Sequence, residues 1–262
     1  MLDKIKHYNH KKYALYGTYK ENVKIWDMNV HYFELDNDEE KINFDENSYL
    51  PLKYSYSFDK NIMLLCFSKH KNIMFDIIKK FNYDLFSQDS YLCIYNHISD
   101  DLQKMFNIVP DEERANVCGL LYGISDKSKL HLIRKQPTSI LKLDQSIEEY
   151  PYHIVYYGTE IDDKIVSWAS WNFYEDEFCD SKNDEVIDIG VGTHGDYRNR
   201  GYAVSNVVAM AEYILDLDKV AVYTTSNRNI ASQKTALAAG LSEICIEKTF
   251  YFKKHRGNIW QS

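Results

Sequence analysis

The order of its segments predicts an α/β (α+β) protein built as two domains. Three observations carry that prediction. Short apolar runs alternate with helix-spaced ones through the first half, a hairpin pattern followed by strand, loop, helix and strand fills the second, and periodicity is lost between them. With 262 residues, 45% of them apolar and 27% charged, each half can bury a core. The same composition excludes collagen-like, disordered and disulfide-scaffold classes.

In the first half, Ile62–Phe67 is a continuous apolar run that reads as a buried strand, and His70–Phe81 places Ile73, Met74, Ile77, Ile78 and Phe81 at helical spacing. Tyr91–Tyr95 reads as a second short strand. Ser99-Asp100-Asp101 then opens a helix whose apolar face is Leu102, Met105 and Phe106, closed before Pro110. The patterns break at Lys135-Gln136-Pro137-Thr138-Ser139, which sets the predicted boundary: residues 1–137 form an amino-terminal α/β domain and 138–262 a second domain.

After the boundary, Tyr152–Ile161 and Lys164–Phe173 are β-rich runs joined by Asp162-Asp163, a hairpin turn. A strand over Val186–Thr193 follows, then a Gly-bearing loop and a helix from about Ala203 to Leu215 with Val204, Val207, Val208, Ala211, Ile214 and Leu215 on one face. Val220–Thr225 is a strand, Ile230–Ala239 a helix stopped by Gly240, and Ile244–Phe252 one or two further strands. The acidic cluster Asp36–Glu40 and the stretch Glu175–Glu185 are expected as exposed loops.

Thirty-nine acidic against thirty-one basic side chains leave a formal charge of -8, which repels a phosphate backbone and argues against broad nucleic-acid binding. A cationic partner such as an amine fits better. Cys66, Cys93, Cys118, Cys179 and Cys245 are odd in number, widely spaced and without a CxxC pair, so all five are expected as reduced structural thiols. The longest apolar run, Ile62–Phe67, is far short of the ~20 residues a membrane helix needs, and the amino terminus has no apolar leader core. A cytoplasmic protein without membrane contact is therefore expected. The histidines show no ligand spacing, which argues against a metal site, and Trp26, Trp168 and Trp171 are expected as core or rim packing.

The segment that carries chemistry runs Asp188-Ile189-Gly190-Val191-Gly192-Thr193-His194-Gly195-Asp196-Tyr197-Arg198-Asn199-Arg200-Gly201-Tyr202-Ala203, a strand feeding a loop that opens a helix. The first turn of a helix offers free backbone N–H groups and the positive end of the macrodipole, which suits a pyrophosphate. Gly201 permits close backbone approach, Ala203 is small, and Arg198 and Arg200 can add charge-assisted bonds of about 1.5–3 kcal/mol each.

This R-x-x-G-x-A run between a strand and an amphipathic helix resembles the acetyl-CoA loop of the GNAT superfamily of N-acetyltransferases. Downstream, Asn229-Ile230-Ala231-Ser232 with Ala239-Gly240-Leu241 looks like the family's N-x-x-A/S helix ending in G-F/L. The resemblance covers roughly residues 140 to 262, and the fuller wording T-H-x-D-Y-R-x-x-G-x-A looks closest to zwittermicin-resistance-type GNAT proteins, which also carry an amino-terminal extension. It implies a mixed, mostly antiparallel sheet splayed around acetyl-CoA with flanking helices, joined to the amino-terminal domain on the acceptor side. It further implies that Val191, Gly192 and Thr193 offer backbone groups to the pantetheine arm, that Arg198, Asn199, Arg200, Gly201, Tyr202 and Ala203 wrap the pyrophosphate, and that Asn229 and Ser232 touch the cofactor's far side. The implied activity is acetyl transfer from acetyl-CoA to the amine of a small molecule. The chain departs from the pattern at Ala236, where many relatives place a Tyr as general acid, and this keeps a second reading open: a non-catalytic acyl-CoA-binding or regulatory protein.

Transfer to an amine needs neutral nitrogen, and an alkylammonium of pKa near 10.4 is neutral in about one molecule in a few thousand at pH 7, a deficit of roughly 4–5 kcal/mol. Asp188, with Glu185 as fallback, is the nearest carboxylate upstream of the loop to take that proton, and His194 is a third candidate. Strand N–H groups would polarise the thioester carbonyl. A coenzyme A thiol with a pKa near that of free Cys, about 8.5, can leave as thiolate with water as the proton source, so loss of the Tyr is tolerable.

Overall fold

The computed structural model describes residues 2–36, 42–45, 48–111, 113–114, 117–130, 139–144, 152–174 and 184–254. The polypeptide divides into two units, one of Asn9–Gly119 with Cys245–Ser262 and one of Met1–Tyr8 with Leu120–Ile244. The division differs from the predicted one, because each chain end belongs to the unit that the other half of the sequence builds. The predicted boundary at residues 137 and 138 lies outside the described residues, as do the greater part of both acidic loops and Cys179.

The unit formed by Asn9–Gly119 and Cys245–Ser262 holds most of helix α1 (Leu2–Ala14), strands β1 (Thr18–Ile25) and β2 (Met28–Leu35), the short β3 (Asn43–Asp45), β4 (Ser48–Ser57), β5 (Asn61–Phe67), helices α2 (Lys71–Phe81) and α3 (Gln88–Phe106), and β6 (Ile108–Pro110). Its sheet runs β1-β2-β5-β4-β14, where β14 spans Ser242–Lys254, with β3 on β4 and β6 on β14. Among the described pairs of this unit β2–β5 is parallel, and β1–β2, β4–β5 and β14–β4 are antiparallel. Strand β5 is buried along its whole length, which is why it shows in the sequence as an unbroken apolar run. Met74, Ile77 and Ile78 of α2 and Ile94, Ile98 and Leu102 of α3 complete this core.

Helix α3 corrects one sequence expectation. Tyr91–Tyr95 is not a strand but the second turn of a single 19-residue helix. Its start is fixed by Ser87, whose side chain accepts the Ser90 N–H at 3.3 Å, and its buried stripe Ile94, Ile98, Leu102 repeats every four residues. Aromatic and β-branched residues inside a helix imitate a strand over five positions, and tertiary burial overrides that local preference.

The second unit is built on two sheets. Strands β7 (Cys118–Ile124), β13 (Val220–Ser226) and β11 (Val186–Asp188) stand in the order β7-β13-β11, and a four-stranded sheet runs β12-β10-β9-β8, with β12 spanning Gly190–Thr193, β10 Lys164–Tyr174, β9 Tyr152–Ile161 and β8 Ser139–Asp144. The β9–β10 hairpin turns where the sequence predicts it, with Asp162 and Asp163 both left-handed at φ 51° and 59°. Helix α4 (Tyr202–Asp216) packs Val207, Val208, Ala211 and Ile214 inward, and α5 (Ile230–Ala238) gives way at Gly240, left-handed at φ 94°. The fold is thus mixed α/β with mostly antiparallel sheets and flanking helices, as the sequence predicts. The described cysteines, Cys66, Cys93, Cys118 and Cys245, are free thiols. Among the described residues no group of His, Cys, Asp or Glu is arranged to hold a metal, and no helix is long and apolar enough to cross a membrane.

Candidate functional site

The segment predicted as one strand, Val186–Thr193, changes sheets in its middle. Val186, Ile187 and Asp188 pair in parallel with Val220, Ala221 and Val222, and the last backbone bond on that side is Ile189 N–H to the Val222 carbonyl at 2.8 Å. From Gly190 onward the chain pairs with β10 instead, Gly190 opposite Ser170 and Thr193 opposite Ser167, while β13 continues to Ser226. Two parallel strands therefore part at their carboxy-terminal ends.

Asp188 sits at the point of parting. In a continued parallel ladder the Thr224 N–H would bond the Ile189 carbonyl, two residues beyond the Val222 step. Instead it donates to Asp188 Oδ1 at 3.0 Å, and the Thr224 hydroxyl donates to Oδ2 at 2.7 Å. The exposed carboxylate thus replaces a missing ladder acceptor. Glu185 is elsewhere: its carbonyl accepts the Val220 N–H at the entry end of β11, and its exposed side chain pairs with Lys4 at 3.7 Å. Three residues of strand, about 10 Å, separate it from Asp188. The structure brings Asp188, not Glu185, to the parted strands.

The side of β12 that faces away from β10 follows from the ladder. His194 donates its N–H to the Val166 carbonyl at 2.9 Å, so His194, Gly192 and Gly190 direct their backbone groups to β10, whereas Val191 and Thr193 direct theirs the other way, as Ile189 does toward Val222. Of the three residues expected to present backbone groups to a ligand, Val191 and Thr193 direct theirs away from β10, and Gly192 directs its own toward β10. Gly192 serves a different purpose: a Cβ there would lie 2.3 Å from the Trp168 ring, so the missing side chain makes room for the indole, which also packs edge-on against His194 at 5.7 Å.

The loop then tightens into a turn at Gly195–Tyr197, and Asn199 and Gly201 are both left-handed, at φ 60° and 81°. Gly201 is the N-cap residue of α4 and supplies no side-chain cap. The first intrahelical bond is Ser205 N–H to the Gly201 carbonyl at 3.1 Å, which leaves the amides of Tyr202, Ala203 and Val204 as the first-turn donors. Beyond the adjoining residues, a Cβ at Gly195 or Gly201 would meet nothing within 4 Å, so both glycines border open space. Arg198 Nε donates to the Thr193 carbonyl at 3.3 Å and Arg200 Nη2 to the Asp196 carbonyl at 3.0 Å, with the Arg200 guanidinium 5.3 Å from the Tyr197 ring centre. Both cations are exposed and tethered to their own loop.

Beyond β13, Asn229 caps α5 by accepting the Ser232 N–H at 3.2 Å, and Tyr223 donates its hydroxyl to Ser232 Oγ at 3.0 Å. Burial holds the Tyr223 phenol above its ordinary range, the Ser232 bond works against that rise, and the Asp188 charge adds to it. Ala236 is fully buried, so no side chain from that position reaches solvent.

Sequence reasoning missed Thr224, Ser167, Thr159 and Asn206. The last three form a buried polar chain with Thr193: Asn206 donates to Thr159 Oγ1 at 3.1 Å and Ser167 Oγ at 3.3 Å, and Ser167 Oγ stands 2.8 Å from Thr193 Oγ1. A polar pair, Ser205-Asn206, at the head of an otherwise apolar helix face was the available signal.

No family model matches the chain, and no curated protein does. Solved structures with a related course include an acetyltransferase from the GNAT family from Colwellia psychrerythraea, 11% identical over 95% of this chain and 97% of that one at TM-score 0.41. A GCN5-related N-acetyltransferase-like protein from Streptococcus suis is 11% identical over 85% and 80% at 0.41. A putative GNAT-family acetyltransferase from Novosphingobium aromaticivorans is 14% identical over 56% and 73% at 0.39. At such identities and TM-scores, the chemistry of this chain rests on its own residues.

Proposed function

We propose that the protein is an N-acetyltransferase that moves an acetyl group from acetyl-CoA to the amine of a small molecule. The observation that carries this reading is the parting of β12 from β13 beside the open first turn of α4, in a segment whose wording resembles the GNAT acetyl-CoA loop. Acetyl-CoA is the substrate that supplies an activated acyl thioester. On this reading the amides of Tyr202, Ala203 and Val204 hold the pyrophosphate, and Arg198 and Arg200 turn from the loop carbonyls to its oxygens. Backbone groups of Val191 and Thr193 line the pantetheine arm, with the N–H of one of them polarising the thioester carbonyl. Asn199 and Gly201 supply the left-handed turns that bring the loop round, while Asn229 and Ser232 flank the far side.

Asp188 takes the proton that the acceptor nitrogen gives up, directly or through a water. Thr224 donates once to each oxygen of this carboxylate and so fixes its orientation at the parted strands. The amine nitrogen bonds to the acetyl carbon, the carbon–sulfur bond breaks, and the thiolate takes its proton from water. A formal charge of -8 favours a cationic acceptor. The buried Ala236 favours a second reading, a non-catalytic acyl-CoA-binding protein. Calorimetry with coenzyme A together with a thiol-release assay over a broad amine panel separates the two. Thiol release with an amine supports catalysis, binding without release supports the second reading, and absence of binding overturns both.

A further inference from the structure

Asn206 is fully buried one turn and a half into α4, about 7.5 Å from its N-cap at 1.5 Å per residue, and it is a costly residue to place there. Its neighbours along the inward face are Val207, Met210 and Ala211. Ser167 and Thr159, its partners on β10 and β9, are fully buried too, and stand opposite each other in the β9–β10 register. Hydrogen bonds join the three side chains and run on to the end of β12. The two Asn206 amide protons go to Ser167 Oγ and Thr159 Oγ1, and Thr159 returns its hydroxyl proton to Asn206 Oδ1 at 3.3 Å. Ser167 donates to the Gly192 carbonyl at 3.1 Å, which leaves the Thr193 hydroxyl as donor to Ser167 Oγ at 2.8 Å.

The path of this chain matters more than its energy. Gly192 and Thr193 are the last residues of β12 before the loop, and Asn206 follows the residue that makes the first helical bond of α4. The loop between them, His194–Gly201, is exposed through most of its length and is held at its own carbonyls by Arg198 and Arg200. The ring contacts recorded for the loop are those of His194 with Trp168 of β10 and of Tyr197 with Arg200 of the loop itself. Apolar contacts would hold α4 against β9 and β10 equally well after a small slide, because they are non-directional. Hydrogen bonds are not.

We infer that Asn206, through Ser167, is the positioning residue that sets the α4 first turn in register with the end of β12 and so fixes the shape of the anion-binding loop. The inference rests on the acetyl-CoA reading for its ligand, but its geometry does not. Single loss of Asn206 strands buried partners and lowers stability whatever its role, so the informative protein is the full chain with Thr159→Val, Ser167→Ala and Asn206→Leu together. Replacing the three fully buried members together by apolar groups of similar shape can be nearly neutral in stability, and the two groups left over, the Thr193 hydroxyl and the Gly192 carbonyl, belong to partly exposed residues. The expected result is a melting temperature close to the wild type, coenzyme A affinity weakened about tenfold by calorimetry, and faster amide hydrogen exchange confined to residues 194–203.

Wild-type exchange in that loop overturns the inference, as does wild-type coenzyme A affinity in the triple variant. If the wild-type chain itself fails to bind coenzyme A, the acetyl-CoA reading falls and the loop exchange alone decides the positioning role. Should the triple variant not fold, Ser167→Ala, which deletes one oxygen at the centre of the chain, is read by the same exchange measurement with the same two outcomes.

Discussion

Replacing Asp188 by Asn separates a proton-accepting carboxylate from one that merely closes a strand pair. The carboxylate accepts from the Thr224 N–H at 3.0 Å and from its hydroxyl at 2.7 Å. An Asn side chain keeps the first bond through its carbonyl oxygen, and the Thr224 hydroxyl can turn to accept from the new amide, so both contacts survive in neutral form. Hydrogen bonds to a charged group contribute about 1.5–3 kcal/mol and neutral ones about 0.5–1.5, and Asp188 is exposed, so the folding cost is about 1–2 kcal/mol. Native proteins hold roughly 5–15 kcal/mol in reserve, so the variant stays folded and melts a few degrees lower. A positioned base contributes about 10²–10⁴-fold to turnover, or roughly 2.7–5.5 kcal/mol of barrier. Turnover on a confirmed acceptor should fall by that factor while coenzyme A affinity holds, and part of the loss should return toward pH 9, where more amine is already neutral. Wild-type turnover of Asp188→Asn across pH 6 to 9 refutes the reasoning. If Glu185→Gln alone then lost activity, the proton would have to leave from the Lys4 end of β11.

Gly201→Val should abolish coenzyme A binding in calorimetry, because a branched side chain at φ 81° costs about 1–2 kcal/mol and would stand in the open space before the first-turn amides, while circular dichroism stays native. Ser87→Ala removes the α3 cap and should lower stability by about 1 kcal/mol in a denaturant melt, with no change in coenzyme A affinity. His70 is buried with its Nε2 3.4 Å from Asp101. Burial first and the Lys69 charge second hold its pKa below the ordinary 6.5, against the pull of Asp101. The unfolded chain then binds a proton that the folded one resists, so the His70 contribution is complete above pH 6.5 and is lost as pH falls from there toward the lowered folded value. Melting temperatures of His70→Leu should fall less steeply than those of the wild type over that limb; parallel curves would rule out His70 as their source.

Legibility in the sequence followed how local the determining physics is. The β9–β10 hairpin, α4 and the Gly240 stop were readable because turn residues and helical spacing act within a few positions. Strands β1, β2, β4 and β7 went unread: β1 has one buried residue and alternating charges, and β4 mixes Lys53, Tyr54 and Ser55 along a buried length that only its neighbours explain. The loop between β12 and α4 was visible through its glycines and arginines. The strand break at Ile189 was not, because Asp188-Ile189-Gly190 keeps strand composition, and what breaks is the choice of partner. The unit division was hidden for the same reason, since no local signal announces that Met1–Tyr8 and Cys245–Ser262 each join residues from the far end of the chain.

The fully buried Ala236 raises the question of which proton limits the proposed reaction. Tyr223 is no substitute acid: burial raises its pKa, the nearby Asp188 charge adds to that, and its hydroxyl is already committed to Ser232 at 3.0 Å. On the proposed reading the thiolate therefore leaves without help from either of these two positions. A thiol of pKa about 8.5 departing at pH 7 without its proton forgoes roughly 2 kcal/mol, whereas an ammonium of pKa near 10.4 must give up a proton worth roughly 4–5 kcal/mol before it can attack. On the proposed reading the larger deficit falls to the acceptor nitrogen, whose proton Asp188 is assigned to take, and the smaller to the departing thiolate. The proposal thus assigns Asp188 to the proton that is harder to remove, which is why Asp188→Asn is the more telling variant.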